Sequence, residues 1–135
     1  MTEARLTQEL LTHLKQQLPG AVVLKICDRF TAGIPDIAVT WRGFTTWLEV
    51  KLLKKGDTFT GCSPAIQRVT MTKLCYQSGG RAWYVVYDAR EPRAKRLWIC
   101  APNRLTDAMH GATVVSGFEH ALVATIITKA CRAAA

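Results

Sequence analysis

Apolar residues recur along the chain at two spacings, and the switch between them marks out the elements. Over residues 2–18, Leu6, Leu10, Leu11, Leu14 and Leu18 fall on one stripe at helical spacing. Thr2 is placed to cap that helix and Pro19-Gly20 to end it. Ala21 to Cys27 is a short, largely apolar strand. From Asp36 to Leu52 the period becomes two, and Arg42-Gly43-Phe44 supplies a glycine where the chain must reverse, so this stretch is expected to be a hairpin. Lys54 to Gly61 is a basic loop bounded by glycine. Ser63 is expected to cap a second helix with Pro64 at its first position, running to Gly79-Gly80. Strands follow over Arg81–Asp88 and around Leu97–Ala101, separated by the charged turn AREPRAKR. The box Ser116-x-x-Glu119 is expected to open a last helix carrying Phe118, Leu122, Ile126 and Ile127. The order is then helix, three strands, helix, two strands, helix, with no repeat and no linker. That pattern implies an α/β fold in a single domain over 1–135, with a central mixed β-sheet flanked by helices.

Within the hairpin the alternation has a chemical consequence. It places Trp47, Glu49 and Lys51 on one face of the second strand, with Leu48, Val50 and Leu52 on the other. A tight register brings Asp36 beside Glu49. The apolar residues on both sides imply a strand covered on both faces, where an acid needs a counter-ion or a metal. A surface salt bridge between Glu49 and Lys51 is the alternative.

Two carboxylates and a lysine converging on one face could hold a divalent metal with a water beside it, and such a site could hydrolyse a phosphodiester. Asp36 and Glu49 would be the ligands of Mg²⁺ or Mn²⁺, with the backbone carbonyl of Val50 as a third oxygen. Lys51 would orient the water, help deprotonate it, or stabilise the transition state, three roles the residue type leaves open. In the first helix Glu3 continues the apolar stripe, whereas Glu9 falls on its flank. In the second helix Gln67 is a polar residue sharing a face with Met71 and Leu74.

Composition narrows the class. With 49% apolar and 21% charged residues the chain can bury a real core, which argues against disorder. A net charge of +8 favours an anionic partner, most simply nucleic acid. Arg29, Arg42, Lys54 and Lys55 are expected around the mouth of the site as phosphate contacts, whereas Arg90, Arg93, Lys95 and Arg96 read as a solvated hairpin tip. Neither group has the interleaved aromatics of base stacking, so contacts to backbone are expected. The five cysteines form no CxxC pair and the three histidines have no ligand spacing, which argues against zinc. No apolar run reaches membrane-spanning length, and the absence of a signal peptide points to reduced thiols in the cytoplasm of a bacterial or phage-infected cell.

Pro35-Asp36 followed, after a gap, by Glu49-Val50-Lys51 resembles the signature of the PD-(D/E)XK nucleases. With Gly33 before it and Gln67 after it, the pattern is similar to the VRR-NUC branch, and the archaeal Holliday-junction resolvases have a similar core. The resemblance covers about residues 3–88. It implies a restriction-endonuclease-like core, a metal-binding role for Glu3 with Glu9 as second choice, and a place for Gln67 beside the catalytic lysine and bound phosphate. A chain this short, lacking a recognition domain, fits a structure-specific endonuclease on branched DNA, a Holliday junction or a flap. Resolving a junction takes two cuts, which implies a homodimer joined through an exposed apolar face on the last strand or the C-terminal helix. The rival readings are a non-cleaving nucleic-acid-binding module and an RNA-processing nuclease.

Overall fold

The computed structural model describes residues 1–27, 33–106 and 111–133. Helix α1 (Glu3–Gln17) starts where expected, with Thr2 Oγ1 accepting the Arg5 N–H at 3.2 Å. Six strands follow in chain order: β1 (Val22–Lys25), β2 (Ile37–Trp41), β3 (Phe44–Leu53), β4 (Ala82–Asp88), β5 (Arg96–Cys100) and β6 (Thr113–Ser116). Helix α2 (Ala65–Gln77) lies between β3 and β4, and α3 (His120–Ala133) closes the chain. A 3₁₀ turn at Pro102–Arg104 follows β5.

The strands sit side by side in chain order, and every neighbouring pair is antiparallel except β3 and β4. A parallel pair needs a crossover, and α2 is that crossover. The molecule is therefore two antiparallel meanders joined at their central strands, with one mixed sheet and three helices.

Alternation sorts the side chains into two cores. Leu48, Val50, Leu52, Val85, Tyr87, Leu97 and Ile99 pack with the leucine stripe of α1 and with Val123, Ala124 and Ile127 of α3. On the other face Leu53, Tyr84, Val86 and Cys100 pack with Met71 of α2 and with Phe59. The middle of the sheet is thus covered on both sides, as the apolar residues flanking Glu49 imply.

Three expectations need correction. Strand β6 falls in a stretch without a strand signal. It is four residues long between Gly111 and Gly117, and its pairing with β5 makes it a strand. Ser116 ends that strand, so it cannot cap α3, which begins only at His120. Ser63 does not cap α2 either. Pro64 occupies the cap position, its carbonyl accepting the N–H groups of Gln67 and Arg68, and the Ser63 side chain goes elsewhere.

No helix among the described residues is long and apolar enough to cross a membrane. Of the two apolar faces expected to join a dimer, the strand around Leu97–Ala101 is β5, which lies between β4 and β6 with Leu97, Ile99 and Cys100 buried. Helix α3 turns Val123, Ala124, Ile127 and Cys131 into the core, while Val114 on β6 is exposed. Exposed apolar side chains also occur at Val22 and Leu24 on β1 and at Ile66, Val69 and Tyr76 on α2.

Candidate metal centre

The site begins with an overhang in the sheet. Strand β2 starts at Ile37, opposite Leu48, while β3 continues to Leu53. On the edge that β2 leaves uncovered, carboxylates take the place of strand carbonyls. The Val50 N–H donates to Asp36 Oδ2 at 3.0 Å and the Leu52 N–H to Glu3 Oε2 at 3.3 Å. In an antiparallel ladder a residue turns its N–H and C=O to the same neighbour, so the Val50 carbonyl shares this edge. Asp36 in turn donates its own N–H to Glu49 Oε1 at 3.1 Å, which locks the two acids together.

One oxygen from each of Glu3, Asp36 and Glu49 lies within 4.8 Å of the other two. Lys51 Nζ is 3.1 Å from Glu49 Oε2, and Gln67 Nε2 donates to the same oxygen at 2.8 Å. Glu49 is only 3% exposed and Lys51 8%, so the pair is no surface salt bridge. Glu3 stands at the exposed rim and Asp36 between the two. An open cleft of about 380 Å³ beside them is lined by Glu3, Lys51, Leu52, Gly56, Asp57, Thr58, Gly61 and Cys62.

Three carboxylates face one ammonium here. Two like charges 4.8 Å apart repel by about 3 kcal/mol at an effective dielectric of ~20. The effect shows on the acids. Burial, then the Asp36 charge, push Glu49 up to about 7, with Lys51 opposing. Partial burial likewise holds the Glu3 carboxyl above its usual range, against the Lys51 charge and the Leu52 N–H. One divalent cation would cancel the two uncompensated charges. Hard carboxylate and carbonyl oxygens are the donors that Mg²⁺ and Mn²⁺ take, so the residues fit such an ion.

The structure brings Glu3, Asp36, Glu49, Val50, Lys51 and Gln67 together. Glu9 is not there. It pairs with Arg5 at 3.3 Å and with His120 at 3.6 Å on the far side of α1. Lys54 and Lys55 are exposed just past the end of β3, at the site's end of the sheet. Arg42 is not at the mouth. It sits in the β2–β3 turn stacked on Trp41, six extended residues or roughly 20 Å from Asp36. Arg29 lies outside the described residues. Arg90 is no solvated tip residue: it clasps Asp88 with two nitrogens, at 2.9 and 2.8 Å, and stacks on Phe59.

Two residues at the site escape a reading of the sequence. Tyr84 stands directly across from Glu49 in the β3–β4 register and is fully buried. Its hydroxyl is 2.7 Å from Ser63 Oγ, and Ser63 donates to Gln67 Oε1 at 2.8 Å. Burial pushes the Tyr84 phenol up to about 12, so it stays protonated. In sequence Tyr84 is one aromatic in an apolar strand and Ser63 a plausible helix cap, and neither carries a signal of its own.

Gly33 completes the packing. It has φ +80°, and a Cβ there would lie 2.8 Å from the Ile66 carbonyl and 2.9 Å from the Gln67 Cα. A glycine is required for the chain before Asp36 to pass so close to α2.

The fold is similar to that of Hjc, a Holliday junction resolvase from the archaeal hyperthermophile Archaeoglobus fulgidus. The TM-score is 0.54 at 16% sequence identity, over 91% of this chain and 98% of that one. No family model matches the chain, and comparison with curated proteins finds no match. At that identity the likeness establishes the fold alone, an α/β core like that of Hjc.

Proposed function

We propose that this protein is a metal-dependent endonuclease of the PD-(D/E)XK superfamily, VRR-NUC-like over 1–135, that hydrolyses phosphodiesters in branched DNA. The observation that carries the reading is the meeting of Glu3, Asp36 and Glu49 within 4.8 Å, with Lys51 3.1 Å from Glu49. A divalent ion bound there would lower the pKa of a water and neutralise charge developing on phosphate. The chain's own part is positioning. Asp36 and Glu49 are fixed to each other through the Asp36 N–H, and Glu3 closes the rim. Lys51 holds its ammonium at the carboxylate where the attacking water and phosphate would meet, and can orient that water or stabilise the transition state. Lys54 and Lys55 would hold phosphates beside the cut.

The choice of branched DNA draws on the resolvase named for the similar fold. Junction resolution would require a homodimer with two sites. The test is cleavage of labelled four-way, flap, duplex and single-stranded DNA, and of RNA, with and without Mg²⁺ or Mn²⁺. Metal-dependent cutting of the four-way or flap substrate is expected. Cutting of RNA alone would move the protein to RNA processing, and binding without cutting would make it a recognition module.

A further inference from the structure

We propose that Ser63 and Tyr84 are positioning residues that set the orientation of the Gln67 amide and, through it, the Glu49 carboxylate that faces the metal. The inference rests on the metal-centre reading above and goes one layer deeper.

An amide has a donor end and an acceptor end, and a half-turn about its last bond exchanges them. Only one orientation suits Glu49, since Nε2 must face Oε2 for the 2.8 Å contact to be attractive. What selects it is the Ser63 hydroxyl, 2.8 Å from Gln67 Oε1. A hydroxyl has a single proton. If Ser63 gives it to Gln67, then the contact with Tyr84 must run the other way, the phenol donating to Ser63 Oγ at 2.7 Å. With the carboxylate as acceptor at one end, the phenol proton completes a chain that runs in one direction, from Tyr84 to Ser63 to Gln67 to Glu49. Reversing it would turn the amide oxygen onto a carboxylate oxygen.

The placement supports a device of position more than one of packing. Ser63 is 2% exposed and Tyr84 is fully buried, so the contact between them is shielded from water. Ser63 has left the helix-cap role that its place before α2 suggests, and that helix has no side-chain cap as a result. Such outer partners of ligating carboxylates typically change metal affinity or activity by ~10–100-fold when removed.

The test uses Ser63→Ala, Tyr84→Phe and Gln67→Ala, alone and in pairs, with folding followed by circular dichroism and Tm. Mn²⁺ affinity is measured by calorimetry, and single-turnover cleavage alongside it. Ser63→Ala is expected to weaken Mn²⁺ binding about 10-fold or more. Tyr84→Phe, which keeps the ring and its packing, should weaken it less, and Ser63→Thr should restore it. In the Gln67→Ala background neither change should have any further effect, because the path through the amide is gone. Native Mn²⁺ affinity and rate in folded Ser63→Ala and Tyr84→Phe would overturn the proposal. So would an undiminished effect of Ser63→Ala in the Gln67→Ala background, or a parent protein that binds no Mn²⁺. A parent that binds Mn²⁺ in this pattern yet cuts no substrate would sink the nuclease reading and leave the positioning chain standing.

Discussion

Two carboxylates are buried in the middle of this sheet, Glu49 on β3 and Asp88 on the neighbouring β4, and their surroundings are opposite in kind. Asp88 is one acid among donors. Arg90 grips both of its oxygens, the Arg90 N–H donates at 3.2 Å and the Trp98 indole at 3.1 Å. Burial alone would raise its pKa, but those bonds and the guanidinium charge outweigh it and hold it below 3.8. Glu49 has fewer cations than neighbouring acids. One ammonium stands against three carboxylates, and burial with the Asp36 charge lifts it to about 7. A carboxylate whose charge is answered within the chain is finished structure. One whose charge is not answered has room for a cation from outside, which is the basis of the metal-centre proposal.

The contrast breaks first on catalysis. Asp36→Ala should weaken Mn²⁺ binding directly by deleting an oxygen ligand, whereas Lys51→Ala should keep the affinity and lose ~10²–10³-fold in cleavage rate. Calorimetry with single-turnover kinetics separates the two, and native cutting by Lys51→Ala would strip the cluster of its catalytic meaning. Asp88→Asn should leave both quantities unchanged.

Stability sharpens the comparison, because the two acids should respond with opposite sign. Glu49→Gln removes the repulsion, although its amide NH2 must then face one of the donors that hold Oε1 and Oε2. In metal-free protein at about pH 8 it should raise stability on balance, by less than the ~3 kcal/mol that moving a carboxyl from 4.5 to about 7 represents. Asp88→Asn should lower stability by ~1–2 kcal/mol, since Arg90 and Trp98 lose their acceptor. The pH profiles follow. A folded-state pKa above the unfolded value gives stability that is present below 4.5 and lost as pH rises through about 7. Asp88, held below its usual value, contributes above 3.8 and is lost as pH falls through its lower folded-state value. Urea titrations between about pH 5 and 8 should show metal-free stability declining, and added Mn²⁺ should reverse the decline because it binds the ionised acids. A flat profile that Glu49→Gln does not change would contradict this account of the site.

The smallest effect concerns the approach of the nucleic acid. Binding measured in Ca²⁺ should weaken with salt at a slope of about −0.9 per phosphate contact. Replacing Lys54 and Lys55 with alanine should make that slope shallower by about 1.8, with little dependence on base sequence. An unchanged slope would place the phosphate contacts elsewhere on the surface.

The periodicity of the chain determined a good deal by itself. The leucine stripe of α1, the hairpin with its turn at Gly43 and the pairing of Asp36 with Glu49 are local matters of spacing, and the structure has them where spacing puts them. Phase along α1 puts Glu3 ahead of Glu9 but leaves Glu9 as second choice, and it is the structure that places Glu3 beside Leu52 and Glu9 with Arg5 and His120. What depends on partners distant in sequence was decided only by the tertiary structure. Strand β6 has no signal of its own and exists because β5 offers it an edge. Arg42 and Lys54 are both basic residues at a strand end, but the hairpin sends one away from the site and leaves the other beside it. Ser63 and Tyr84 meet across 21 residues of sequence, brought together by the crossover that lays α2 over the parallel pair. A hydroxyl's role is set by what stands within hydrogen-bond reach of it, and that neighbour is chosen by the packing of the sheet and not by the order of the chain.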